Sequence, residues 1–334
     1  AGICLNYIFI AATSAGAIDS AEQFGNIISS PLNLLAWHTL FMFLTATIVS
    51  AGINNGIGRM VKILMPMLGV LLIFMVINGI LSGGFARAFS FLFAPDFSEV
   101  DSNTFLSAMG QAFFSLSLGM GSIMAYGAYM PKEQKIIPTS FTVASLDTLV
   151  AIFAGLAIFP IIFAFGLEPN SGPGLVFESL QTAFNQMSYG QIVGPLFFIL
   201  LSVAALSSSI SLLEPGVAFI SEEGFMSRKL AAISISLLTW TLGIGTVLSF
   251  NLWSDFNLTP GRNFLDSMDF IANQILLPLG GMLIAIFVGW FMDKNLINEE
   301  IGHVNPILFG IWRFFVKFIA PISVAIIFYN AIFG

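Results

Sequence analysis

Apolar runs succeed one another along the whole chain, at residues 2–17, 33–52, 58–82, 104–128, 136–166, 191–220, 229–250, 267–292 and 307–333. Every run but the first reaches the ~20 residues that a helix needs to cross a bilayer. Period-two alternation is absent, and a backbone facing lipid must satisfy its own hydrogen bonds. The pattern therefore predicts nine spans in one polytopic, all-α membrane domain covering residues 1–334. Composition agrees: 57% of residues are hydrophobic and 9% charged, which excludes an ordinary soluble or nucleic-acid-binding domain.

The net charge of -7 matters less than where the charges fall. Nine of the eleven basic residues lie in alternate loops or at the span ends beside them: Arg59, Lys62, Lys132, Lys135, Arg228, Lys229, Lys294, Arg313 and Lys317. The positive-inside rule puts those loops in the cytoplasm. The other loops hold Arg87 and Arg262 among a majority of carboxylates, including Asp19, Glu22, Asp96, Glu168, Glu178, Asp255 and Asp269. Nine spans then leave the C-terminus outside. The chain starts with Ala1, inside an apolar stretch, and an N-terminal truncation is expected. Cys4 alone gives neither a disulfide framework nor a metal site.

Polar residues inside the spans are the candidates for function. The fourth span carries Phe114-Ser115-Leu116-Ser117-Leu118-Gly119-Met120-Gly121-Ser122 at mid-depth, where open backbone is tolerated only if it lines a cavity. A break there offers half-helix N-termini to a carboxylate and free carbonyls to a cation. Close packing through small residues is the bland alternative. The sixth span carries Ala204 to Ser209, then Glu214-Pro215. Hydroxyls and carbonyls there suit a desolvated Na⁺, but also suit helix–helix hydrogen bonds. Glu214 is a functional candidate because it is a carboxylate within a span. Asp147 lies about 18 Å along the helix from Lys135, beyond the interface, and needs a cation or donor. Pro66 loosens the start of the third span. The apolar outer loop 168–190 is expected to fold back as a hairpin lid, with a plain surface loop as the alternative.

Taken together, GQAFFSLSLGMG (110–121), VASLDTLVAIFAGLAIFP (143–160), GPGLVF (172–177) and AALSSSISLLEP (204–215) resemble the sixth to eighth helices and an intervening outer loop of bacterial neurotransmitter:sodium symporters. The resemblance implies a LeuT-type inverted-repeat bundle containing helices three (in part) to eleven. Residues 1–82 would be the remainder of the first repeat, 104–292 the second, and 307–333 an additional helix. It implies import of an amino acid coupled to two Na⁺ ions across a bacterial inner membrane. One sodium site would fall on the Ala204 carbonyl with Ser207 and Ser208. The other would use Ser115, Asp147 and the substrate carboxylate. Asp147 would supply the negative charge that chloride provides in some relatives, although Gln111 falls where those relatives have an anion ligand. Phe114, Ser115, Ser117, Gly119, Met120, Ser208 and Leu212 would line a substrate pocket fit for a large hydrophobic amino acid. Gly56 and Pro66 match a motif linked with inward unwinding and sodium release, and Glu214 would serve gating or coupling. The family's first helix, which holds much of both sodium sites, is absent, so the chain alone is expected not to transport. The rival readings are a proton-coupled permease of the same fold and a non-functional truncated product. An intramembrane enzyme is excluded by the lack of an HExxH pattern around His38 or His303 and of a G-x-S-x-G elbow.

Overall fold

The computed structural model describes residues 1–13, 19–95, 97–131, 133–169, 172–302 and 305–333. Asp96, Lys132, His303 and the end of the first apolar run lie outside the described residues. Seven helices in the described residues are long and apolar enough to cross a membrane. They are α3 (Pro31–Ser50), α4 (Ile53–Leu81), α8 (Ile136–Ala164), α10 (Gly190–Glu222), α11 (Arg228–Leu248), α12 (Phe264–Phe291) and α14 (Pro306–Asn330). The first expected span is the shorter apolar α1, Gly2–Thr13. The fourth is present as two pieces, α6 (Ser102–Ser115) and α7 (Ser122–Ala128), and this break is why it does not count as one long helix. Short α2 (Ser20–Ile28), α5 (Phe85–Phe93) and α13 (Lys294–Glu300) occupy connections.

One expectation needs correction. Residues 172–186 are not a hairpin loop but a helical run, α9, with Gly172–Gly174, π-helical Leu175–Ser179 and Leu180–Gln186 in succession. Its Phe177, Leu180, Ala183 and Phe184 are buried, so packing rather than solvent fixes it. Within the all-α fold, Asn257–Thr259 (β1) and Arg262–Asn263 (β2) pair as a short antiparallel ribbon in a connection, with Gly261 at φ 72° in the turn. The Pro260-Gly261 pair carries that turn signal.

The helices form two compact units. One contains Ala1–Pro95 and Val150–Leu265, the other Asp96–Leu149 and Asp266–Gly334. The core of the first is aromatic. Tyr7 of α1, Phe177 and Phe184 of α9, and Phe197 and Phe198 of α10 pack in tilted, edge-on and stacked pairs at centroid distances of 4.9–6.4 Å. Hydroxyls on these apolar helices bond their own backbone four residues back, as Thr45 does to Phe41 at 3.0 Å and Thr241 to Leu237 at 2.8 Å. A lipid-facing helix can therefore carry them at little cost. In the second unit, α12 packs on α14 and on α6.

Candidate functional site

The break between α6 and α7 has a definite stereochemistry. Beyond Ser115 the chain closes with two reversed bonds, Ser117 N–H to the Phe114 carbonyl at 3.0 Å and Leu118 N–H to the Phe113 carbonyl at 2.9 Å. These are the two bonds of a Schellman motif, which requires a left-handed residue after the cap. That residue is Ser117, at φ 54°, and among the described residues it is the one non-glycine with positive φ. A side chain held there stores strain of the kind that collects at binding sites. Gly119 (81°) and Gly121 (82°) continue in positive φ until α7 restarts. The helical hydrogen-bond ladder is thus open from Ser115 to Gly121. Gly119 also lies against the backbone of α12, where a Cβ would collide with the Leu277 carbonyl and come within 2.7 Å of the Gly281 amide. Small residues here serve both of the readings drawn from sequence, close packing and a broken helix.

Ser115, the last residue of α6, donates its hydroxyl to Asp147 Oδ2 of α8 at 2.7 Å. The donor that a carboxylate at this depth demands is therefore one of the expected sodium ligands. Gln111, Phe113 and Phe114 of α6 face a cavity of about 290 Å³ that is also lined by Asp269, Asn273 and Gln274 of α12. Asn273 donates to Asp269 at 2.7 Å. The sequence reading passed over this second polar set. Its signal was an Asp–Asn pair at i, i+4 within an apolar span.

In the first unit, α10 runs unbroken through its serine cluster. Ser207 Oγ and Ser208 Oγ both donate to the Ala204 carbonyl, at 2.8 and 3.1 Å. The three expected sodium-ligating oxygens thus converge within one turn. Each hydroxyl can turn its proton outward and leave oxygen lone pairs for a cation. Ser209 is helix glue instead, bonding Thr45 Oγ1 of α3 at 2.9 Å. Leu212 is exposed on the same helix. Among the described residues no three His, Cys, Asp or Glu side chains cluster, so hydroxyl and carbonyl oxygens are the ligands on offer.

Glu214 is fully buried and receives both guanidinium arms of Arg228, at 2.8 and 2.7 Å. Its partner Arg228 is the first residue of α11. A bidentate pair is the geometry that best compensates burial of two charges. Pro215 does not interrupt α10. Near the ion pair, α4 opens with a π-helical turn at Ile53–Gly58, whose Gly56 and Ile57 amides both bond the Gly52 carbonyl at 3.0 Å. Gly56 is buried, and a Cβ on it would strike the Ile48 carbonyl of α3. Pro66 lies further along the same helix.

Residues 20–334 match the family model described as the sodium:neurotransmitter symporter family. The chain belongs to this family. Members of the sodium:neurotransmitter symporter family are transporters rather than enzymes, and this one is a multi-pass, sodium-dependent member. It is 33% identical over 334 residues to the sodium-dependent transporter YhdH of Bacillus subtilis (strain 168), covering 97% of this chain and 74% of that protein. It is 35% identical over 307 residues to a sodium-dependent transporter of Haemophilus influenzae, covering 91% of this chain and 67% of the other. Its fold matches the crystal structure of MhsT in complex with L-phenylalanine at a TM-score of 0.89 and 44% identity, covering 99% of this chain and 76% of MhsT. The symporter fold expected from the sequence, a LeuT-type bundle, is therefore the one found.

Proposed function

We propose that the protein couples entry of two Na⁺ ions to import of a large hydrophobic amino acid, without chloride, across a bacterial inner membrane. The observation that carries this reading is the Ser115–Asp147 contact beside an open helical ladder. A fixed carboxylate and a hydroxyl sit next to backbone groups able to hold a zwitterion. Asp147 carries the negative charge itself, so a bound anion is not needed. Ala204, Ser207 and Ser208 form the second cation site.

Phe114, Ser117, Gly119 and Met120 are the proposed substrate positions around the break, with Ser208 and Leu212 on α10. Apolar Phe114 and Met120 favour an apolar side chain, and Met adapts to irregular shapes. The L-phenylalanine named in the MhsT complex supports the same substrate class. Gln111, Gly56, Pro66 and Glu214 are assigned to gating or coupling. Residues 1–82 and 104–292 are assigned to two repeats, with 307–333 as an added helix that ends outside. Each Na⁺ entering gains about 2.3 kcal/mol per 100 mV of membrane potential, so two ions support steep accumulation. Uptake of labelled L-phenylalanine by the protein with the family's first helix in place, competed by a panel of amino acids with and without chloride, tests the reading. Leucine, tryptophan and methionine should compete in chloride-free buffer. Preference for glycine or glutamate, or a chloride requirement, would overturn it.

A further inference from the structure

Away from the break, α12 and α14 approach through two π-helical turns, Phe287–Phe291 and Phe315–Ile319, which pack on each other. Their contact is close because Gly289 has no side chain: a Cβ there would lie 2.9 Å from Lys317 Cα. π turns are rare and recur at functional sites. This one sets the Lys317 ammonium 3.8 Å above the ring of Trp290, whose indole N–H donates to the Lys317 carbonyl at 3.2 Å. Arg313, four residues earlier, reaches the same turn and donates to the Gly289 carbonyl at 3.3 Å. Its Nη1 is buried without a partner. Among the described residues neither cation has a carboxylate within ion-pair distance. Beside them opens a groove of about 470 Å³ between Ile286, Phe291, Pro321 and Ile322. Trp290 and Phe291 are the penultimate and last residues of a span, the depth of the headgroup belt, and both are more than half exposed.

We infer that this turn is a binding site for the headgroup phosphate of an anionic phospholipid, held by Lys317 and Arg313, with an acyl chain in the adjoining groove. Two uncompensated cations need an anion. The groove beside them is apolar and the helices around it cross a membrane, so that anion belongs to a molecule with a hydrocarbon tail. Trp290 presents its ring face to one side of the ammonium, and the other side is left for the phosphate. The orientation proposed above places the site at the cytoplasmic leaflet, but the site rests on local geometry and does not require that assignment.

Quenching of tryptophan fluorescence by brominated lipids reads this site directly. The purified protein is reconstituted in phosphatidylcholine vesicles containing either brominated phosphatidylglycerol or brominated phosphatidylcholine. The inference expects about fivefold preferential association of the anionic lipid, from the attraction of basic residues near a membrane surface. The preference should vanish in Lys317→Gln, persist in Lys317→Arg, and lose its fluorescence signature in Trp290→Phe. It should survive millimolar inorganic phosphate. Equal quenching by both lipids in the wild type, a preference unchanged in Lys317→Gln, or abolition by free phosphate would overturn it. Because quenching needs no transport, failure of the uptake reading leaves this result intact, and the reverse also holds.

Discussion

The Ser115 hydroxyl donates to Asp147 Oδ2 across 2.7 Å, joining the end of a broken helix to the middle of an intact one. A hydrogen bond to an ionised acceptor at this length is among the strong ones. It fixes the position of the Asp147 carboxyl, with the Ser115 hydroxyl oxygen free to share a cation. Asp147→Ala should therefore raise the sodium concentration for half-maximal uptake by about 10- to 100-fold, the equivalent of ~1.5–3 kcal/mol for a charged hydrogen bond. Asp147→Asn, which keeps shape and loses charge, should make uptake respond to chloride. Uptake titrated with sodium, at fixed chloride and then without it, checks both.

On α10 the Ala204 carbonyl accepts from Ser207 and Ser208, and these hydroxyls are not needed to hold helices together. Ser208→Ala should weaken sodium activation by about tenfold, as expected for a lost polar contact of ~1–1.5 kcal/mol, while leaving the melting temperature nearly unchanged. Ser209→Ala should do the opposite, because Ser209 bonds Thr45 on α3. Sodium titration and thermal melting of the two variants, side by side, separate the roles.

Gly119 is doubly constrained, by a φ of 81° and by α12 backbone where a Cβ would go. Gly119→Ala should lower stability by more than ~1 kcal/mol and abolish uptake, since it combines left-handed strain with a clash against backbone. Gly69→Ala is the control. Gly69 sits within α4 with nothing near its missing Cβ, and alanine there should be neutral or stabilising by up to ~1 kcal/mol. Melting temperatures in detergent give the comparison.

In the Glu214–Arg228 pair the carboxylate is buried and the guanidinium partly exposed, so removing the arginine leaves an uncompensated buried charge, which costs about 3–5 kcal/mol, and removing the glutamate costs less. Arg228→Gln should lower the melting temperature markedly, and Glu214→Gln by less. The double variant should be less destabilised than the sum of the two, and a double-mutant cycle on thermal melts measures that coupling.

The spans were legible because a bilayer demands long apolar runs: seven of the nine expected runs form helices long enough to cross, the first forms a shorter apolar helix and the fourth is broken in two. The break was legible because Gly119 and Gly121 tolerate positive φ, and both adopt it, while Ser117 adopts it under strain. The pairing of Asp147 with Ser115 was partly legible, since a carboxylate at that depth needs a donor. The partner of Glu214 was not, because hydropathy says nothing about which cation a helix entry swings inward. Nor were the π turns, which arise from contacts such as Gly56 on α3 and Gly289 on Lys317 rather than from local preference. Residues 172–186 misled because Gly-Pro-Gly reads as a turn when seen alone. Burial of Phe177 and Phe184 against the aromatic core outweighs that signal.

The most direct test of sodium coupling is uptake of labelled L-phenylalanine into proteoliposomes by the protein with the family's first helix in place, at equal pH on both sides, as a function of external sodium. The account predicts uptake that requires sodium, rises with a Hill coefficient above about 1 as expected for cooperating ion sites, and collapses in Asp147→Ala. Uptake that ignores sodium and follows an imposed pH gradient, with Asp147→Ala sodium-independent in the same way, would contradict it.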